Sequence, residues 1–309
     1  METMYLTHPA CRLHEMGSWH PESPQRLDAI SDQLLASGLM PYLDDRQAPQ
    51  ASRHDILRVH TVQYLDSLRE HTPDQGYYPI DPDTLMNPHT YEAALYAAGA
   101  GVAAVDAVMG GEARTAFCAV RPPGHHACRS QAMGFCFLNN VAIAARHALD
   151  FHGLSRVAIV DFDVHHGNGT QDIFVADPRV AYYSTHQAGL FPHSGLRRDR
   201  GAGNLLNILL PPGSGSFRFR NTWADEMLPA IDDFRPQLLL VSAGFDAHLR
   251  DPQADLMVET EDFGWITTEL RALARRHAAG RMVSMLEGGY DLQALAECSV
   301  AHAGAMLEP

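Results

Sequence analysis

An open α/β architecture, with a mostly parallel sheet covered by helices on both faces, is predicted by three features of the sequence. Near-continuous apolar runs recur along the chain, helical stretches lie between them, and several runs end in small clusters of titratable residues. Strands buried on both faces of a parallel sheet read as unbroken apolar runs. Their alternation with helices implies helices on the faces of the sheet. At 309 residues and 46% hydrophobic content the chain can bury a sizeable core, and residues 1–309 are read as a single domain.

The strand candidates are 115–120 (TAFCAV), 156–162 (RVAIVDF), 179–185 (RVAYYST), 237–244 (QLLLVSAG) and 281–288 (RMVSMLEG). The clearest helix, 90–111, is Ala-rich and closed by Gly110-Gly111. Further helices are expected over 138–151, 221–234 and 261–279. Residues 75–89 and 186–204 read as long loops. There is no internal repeat and no low-complexity linker.

Composition excludes several function classes. The net charge of −14 argues against a basic face for nucleic acid; it is compatible with a cationic substrate and equally with plain solubility. Cys11, Cys118, Cys128, Cys136 and Cys298 are odd in number and form no C-x-x-C pair. That pattern points to a reducing compartment such as the cytoplasm and away from disulfides or thiolate zinc. No signal peptide is expected, and no apolar run approaches the length of a membrane span. Oligomeric state is left open.

In open α/β sheets ligands gather outside the carboxyl ends of the strands. Asp161, Asp163 and His165 leave one strand end on the same side, by the period of two. Asp246 follows a second run in SAGFDAH, His125 and His126 a third in AVRPPGHHA, and Tyr290 a fourth in LEGGYD. A parallel sheet would bring all four segments to one edge. Asp163, His165 and Asp246 then make an open zinc site with room for water and substrate. Asp161 can orient a histidine, His125 and His126 are acid–base candidates, and Tyr290 can donate to an oxyanion. Gly288 and Gly289 would let that loop approach closely. Singly, each piece has a plainer reading as a cap, a turn or a satisfied polar group, with Arg121 pairing locally in RPPG. Four such coincidences at four strand ends are much harder to accept.

The segments HPESPQRL, RPPGHHA, GFCFLNNVAIAARHA, DFDVHHGNGTQDIF, SAGFDAH and LEGGYDL closely resemble the zinc-dependent histone deacetylase and acetylpolyamine amidohydrolase superfamily, which has an arginase-like α/β fold. The resemblance runs from about His20 to about Leu292, and HHGNGTQ is similar to the class II enzymes and their bacterial relatives. It implies zinc on Asp163, His165 and Asp246, with His126 as general base and then acid. His125, paired with Asp161, would give electrostatic support. Asn168 would face His126 as a neutral partner, so that its imidazole is raised less than beside a carboxylate. Tyr290 would polarise the acyl carbonyl. Phe135 and Phe191 would flank an acyl-lysine tunnel walled by Gly134, and Gln253 would sit at its rim. Arg26 would lie near an internal cavity beneath the metal. A structural potassium ion is implied on Asp161, Asp163, His165, Ser184 and the carbonyl of Thr185, and a second monovalent site near Phe174, Asp177 and Val180.

The expected activity is removal of an acyl group, acetyl above all, from the ε-amine of lysine in a protein or peptide. An acetylpolyamine amidohydrolase is the alternative within the class, with Asp81, Asp83 and Asp255 as sources of charge for a distal ammonium. A binuclear manganese ureohydrolase would need more carboxylate ligands than these segments offer. A non-catalytic acyl-lysine binding module would have no need of Tyr290 or the two histidines. Cys128 and Cys136 are read as bystanders.

Overall fold

A computed structural model of the chain describes residues 3–307. In chain order its strands are β1 (Thr3–Thr7), β2 (Asp44–Gln47), β3 (Tyr78–Asp81), β4 (Thr84–Met86), β5 (Thr115–Cys118), β6 (Val157–Asp161), β7 (Val180–Gln187), β8 (Leu205–Leu210), β9 (Leu238–Ala243) and β10 (Met282–Leu286). Among the described residues β3 and β4 form an antiparallel hairpin, and the other eight make one sheet in the order β2-β1-β5-β10-β9-β6-β7-β8. Every neighbouring pair in that sheet is parallel. The five expected strands are all present, each trimmed or shifted at its ends. β1, β2 and β8 lie outside the apolar runs singled out above. β2 (DDRQ) is a charged, largely exposed edge strand, so it lacks the buried-strand pattern.

The helices are α1 (Gln25–Ala36), α2 (Arg53–Leu57), α3 (Val62–Glu70), α4 (Thr90–Gly110), α5 (Asn140–Asp150), α6 (Asn168–Phe174), α7 (Ser216–Thr222), α8 (Leu228–Phe234), α9 (Thr260–His277) and α10 (Leu292–Leu307). The helix expected over 221–234 begins earlier, because α7 runs into α8 through a π-helical turn at Trp223–Met227. The loop expected over 75–89 contains the β3–β4 hairpin, whose strands are too short to show an alternating pattern.

Strand β10 shows why helices cover both faces. Met285 packs against Gly101 of α4 near Ala144 of α5, whereas its neighbour Ser284 bonds His302 of α10 at 2.8 Å. Successive side chains of a strand point to opposite faces. At Gly99 the backbone of residues 49–51 comes so close that a Cβ would lie 2.0 Å from the Pro49 carbonyl oxygen. The expectation that no stretch resembles a membrane span needs correcting for α4: by length and a mean hydropathy of 1.5 it would qualify. Its apolarity is accounted for by burial, since it packs against α5 and against β1, β5 and β10.

Arg121 does not pair locally. It reaches Glu22, 99 residues away, with Nε and Nη2 on the two carboxylate oxygens and Nη1 on the carbonyls of Cys11 (2.9 Å) and His14 (3.0 Å). Glu22 also accepts from Arg26 at 3.0 Å, and all three residues are fully buried. Burial opposes the charge of Glu22, but Arg121, His14 and Arg26 overcome it and hold the carboxyl well below the usual glutamate range. A group depressed in this way contributes stability above its unfolded value, about 4.3, and that stability is lost as pH falls. Glu22→Gln is therefore expected to lower the unfolding free energy by about 3–5 kcal/mol at neutral pH, as read by urea denaturation. The gap from wild type should narrow below about pH 4; a variant as stable as wild type at pH 7 would contradict this account of the network.

Candidate active site

The four strands that carry the polar motifs are neighbours in the sheet, in the order β5-β10-β9-β6. Because all run in one direction, His125/His126, Tyr290, Asp246 and Asp161/Asp163/His165 leave the same edge, as the sequence implies.

The lowest layer is anionic. Asp163 Oδ1 accepts from the backbone N–H of His165 (2.8 Å) and lies 3.0 Å from its Nδ1; Asp163 Oδ2 accepts from Gly288 N at 2.8 Å. Asp246 Oδ1 accepts from Val164 N at 2.9 Å, while its Oδ2 lies 3.2 Å from His165 Nδ1 and is buried without a hydrogen bond. The ligating atoms of Asp163, His165 and Asp246 all lie within 4.8 Å of one another. Burial would lower the imidazole of His165, yet these two carboxylates push it up to about 10. Glycine keeps the space open: a Cβ at Gly288 would sit 1.9 Å from Asp246 Oδ2, and one at Gly244 would sit 2.0 Å from Asp163 Oδ2. Two carboxylates, one imidazole, an orphaned oxygen and glycine walls fit a divalent cation with an open position.

Above it stand two histidines in opposite electrostatic settings. His125 Nδ1 is 3.0 Å from Asp161 Oδ2, which also accepts from Tyr182 Oη at 2.9 Å. Burial disfavours charge on His125, but Asp161, Asp163 and Glu287 prevail and hold it well above its ordinary value. His126 Nδ1 is 2.8 Å from Asn168 Oδ1. Burial, then the positive charge of His125 and His165, keeps His126 well below its ordinary value. His126 is thus lowered rather than merely raised less than beside a carboxylate, because burial outweighs the small raising effect of the Asn168 hydrogen bond. The amide's acceptor places a proton on His126 Nδ1, so Nε2 is the basic nitrogen.

A pocket of about 380 Å³ opens over this layer, lined by His126, Gly134, Phe135, His165, Phe191, Gln253, Tyr290 and the β3–β4 turn at Asp81, Pro82 and Asp83. The Phe191 ring stands edge-on to His126 (5.2 Å between centroids) and the Phe135 ring edge-on to Tyr290 (5.9 Å). Gly134 (φ 56°) is left-handed, and a Cβ there would meet the His126 ring at 2.5 Å. Asp255 is elsewhere, exchanging hydrogen bonds with Gln187. Burial, foremost, holds the hydroxyl of Tyr290 well above its ordinary value, so it is a donor at neutral pH. Arg26 is buried behind the Tyr290 loop. It donates to the carbonyls of Gly289 (2.7 Å) and Glu287 (2.5 Å), and its guanidinium carbon lies 5.0 Å from the centre of the Tyr290 ring. Cys128 and Cys136 are held above the ordinary thiol value, chiefly by burial, as suits bystanders.

Residues 20–306 match the histone deacetylase domain. The chain belongs to the histone deacetylase family. It is 43% identical over 287 residues to the histone deacetylase-like amidohydrolase of Pseudomonas aeruginosa, a match covering 91% of this chain and 75% of that protein. To the human polyamine deacetylase HDAC10 it is 39% identical over 292 residues, 89% of this chain and 43% of that longer protein. The crystal structure of the HDA15 HD domain superposes with a TM-score of 0.93 at 32% identity, over 99% of this chain and 89% of that one. The deacetylase-like α/β fold expected from the motifs is thus the observed one.

Three further residues of this histone deacetylase site, Glu287, Asp251 and His20, have no role predicted from the sequence, although Glu287 lies in LEGGYD and His20 in HPESPQRL. Glu287 is buried and accepts from Gly124 N (2.7 Å), His125 N (3.1 Å) and Ser242 Oγ (3.0 Å), fixing the histidine loop to the sheet. Asp251 accepts from Tyr290 N (2.6 Å), Asp291 N (3.2 Å) and Gln253 N (3.0 Å), tying the tyrosine to the pocket rim. His20 reaches the carbonyl of Asp83 at 3.1 Å and stands edge-on to Phe135. The segment expected to hold a second monovalent ion presents three converging carbonyls. The carbonyls of Phe174, Asp177 and Val180 each accept from Asn204 Nδ2, at 2.8, 3.1 and 2.8 Å.

Proposed function

We propose that this chain is a zinc-dependent deacetylase that hydrolyses the acetyl amide on the ε-amine of lysine in proteins or peptides. The observation that carries the reading is the pairing of His126, bonded to Asn168, with His125, bonded to Asp161, above the Asp163–His165–Asp246 cluster, at the base of a pocket walled by two phenyl rings. Asp163, His165 and Asp246 would hold the zinc ion, which supplies Lewis-acid polarisation of water and of the acyl oxygen when bound.

The rest is work for this chain's own groups. His126 Nε2 accepts a proton from water as its oxygen attacks the acyl carbon, then returns it to the leaving nitrogen as the C–N bond breaks. Acetate and a free amine result. His125, kept cationic by Asp161, stabilises negative charge without giving up its proton. Tyr290 donates its hydroxyl to the oxyanion. Phe135 and Phe191 pack against the methylenes of the lysine stem. The chain has no lysine of its own, all 23 basic residues being arginine, so it offers no internal acetyl-lysine.

The potassium reading rests on the family resemblance and on the register that sets Asp161 opposite Ser184; the Ser184 hydroxyl is engaged with His186 Nδ1 at 2.9 Å. We also take the chain as one catalytic domain, since β1 lies in the sheet and α10 bonds strands β1 and β10 through Met306 and His302, and as cytoplasmic, since its cysteines are unpaired. A second reading, an acetylpolyamine amidohydrolase, is favoured by one observation: Asp81 and Asp83 stand at the pocket mouth, where they could meet a distal ammonium.

Tyr290→Phe is expected to lower kcat about 10²-fold or more while zinc content by elemental analysis stays at the wild-type level; near-normal turnover would remove Tyr290 from the chemistry. Substrate class is tested by kcat/KM on acetyl-lysine peptides against acetylputrescine and acetylspermidine. The neutral Gln253 at the rim predicts preference for the peptides, with Gln253→Glu shifting the ratio toward polyamines. Wild-type preference for an acetylpolyamine over every peptide would establish the second reading instead.

A further inference from the structure

Away from the pocket, three side chains from two helices and the turn after one of them converge on a single point. Asp106 projects from α4, His147 lies in the last turn of α5, and His152 follows two residues beyond that helix. His147 Nε2 and His152 Nε2 each lie 2.7 Å from the same oxygen, Asp106 Oδ1. The imidazole rings are 5.3 Å apart and nearly perpendicular, so the two nitrogens address that point from different directions. The three ligating atoms lie within 4.8 Å of one another.

We propose that Asp106, His147 and His152 form a second divalent-metal site, selective for zinc and similar late first-row ions, that clamps the end of α5 to α4.

Hydrogen-bond bookkeeping at His147 favours a cation. This imidazole is buried and stacked on Phe151, with ring centroids 4.9 Å apart, so its orientation is held. Its Nδ1 faces Asp55 Oδ1 at 3.5 Å and has no hydrogen-bond partner. Asp55 is fixed in turn, because its other oxygen caps α2 by accepting from Ser52 N and Oγ. A neutral His147 therefore fails in either tautomer. With the proton on Nε2, the Nδ1 lone pair points at a carboxylate. With the proton on Nδ1, the Nε2 lone pair points at Asp106. The geometry calls for a positive charge at this imidazole: a second ring proton would supply it, and so would a metal ion on Nε2, with Nδ1–H then facing Asp55 in the carboxylate–histidine–metal arrangement that orients ligating imidazoles.

The donor set decides the class of ion. Two imidazoles and a carboxylate suit zinc, nickel or copper rather than magnesium or calcium, and a fourth position is left for water. Ligands at about 2.0–2.1 Å from zinc stand about 3.3 Å apart, so the cluster must open slightly. The exposed Asp106 and the partly exposed His152 can allow this. The carbonyl end of α5 adds favourable potential for a cation. The opposite end of α5 carries Asn140, which donates to the Pro122 carbonyl of the histidine loop at 3.1 Å. Eleven residues of helix, about 16 Å, thus separate this site from the pocket, and its role is structural.

The test compares chelator-stripped wild type, Asp106→Asn and His152→Ala after equilibrium dialysis against buffered zinc, with zinc per chain from elemental analysis. Wild type should hold one equivalent more than either variant, and zinc should raise its melting temperature by more than theirs. Both variants should turn over acetyl-lysine peptide as wild type does. This difference is independent of whether zinc also binds at Asp163. Equal zinc in all three proteins would overturn the proposal and leave Asp106 as a hydrogen-bond acceptor for two histidines.

Discussion

Four carboxyl groups, those of Asp161, Asp163, Asp246 and Glu287, are buried at the ends of adjacent parallel strands; burial raises Asp161, Asp246 and, to about 7, Glu287, and most of the site follows from the need to stabilise their charged forms. Backbone N–H groups satisfy part of it, from Val164, His165 and Gly288 in the lower layer and from Gly124 and His125 above. Imidazoles face the rest: His165 Nδ1 lies against Asp163 and Asp246, and His125 is held above its ordinary value by Asp161 despite its burial. Asp246 Oδ2 remains unanswered by any hydrogen bond, and in a low-dielectric interior such an oxygen is costly without a cation. Burial foremost, and then the charge on His125, holds His126 well below its ordinary value. Two adjacent histidines are thus driven in opposite directions by environment rather than by residue type.

The guanidinium groups are kept out of that layer. Arg121 and Arg26 are spent on Glu22, on loop carbonyls and on the face of Tyr290. This second network joins the segment around residues 11–26 to the histidine loop and the tyrosine loop, so the walls of the pocket are braced from behind.

The central strands were legible in the sequence because burial on both faces leaves unbroken apolar runs, as in VAIVD and LLLVSA. Asp161, Asp163, His165, Asp246 and Tyr290 were legible because each sits at or within four residues of the end of such a run, and His125 and His126 follow theirs by seven and eight, so fold and chemistry point to one edge. What escaped the sequence is what depends on distant partners. Nothing local marks Glu22 as the partner of Arg121, or Asp251 as the anchor of Tyr290. β2 was hidden because an edge strand needs no apolar pattern. Asn204 looks like an ordinary loop residue until three carbonyls are seen to converge on its amide. The loop between β3 and β4 likewise gave no sign that Asp81 and Asp83 reach the pocket mouth while Asp255 does not.

The central claim is that a cation on the strand-end carboxylates enables turnover. It is tested most directly by titrating zinc into chelator-stripped protein while following acetate release from an acetyl-lysine peptide, beside a folded Asp163→Ala control. Activity should be absent after stripping and return as zinc is added, and the Asp163→Ala protein should stay inactive throughout. Full turnover by stripped protein, or zinc-restored turnover by Asp163→Ala, would contradict the account.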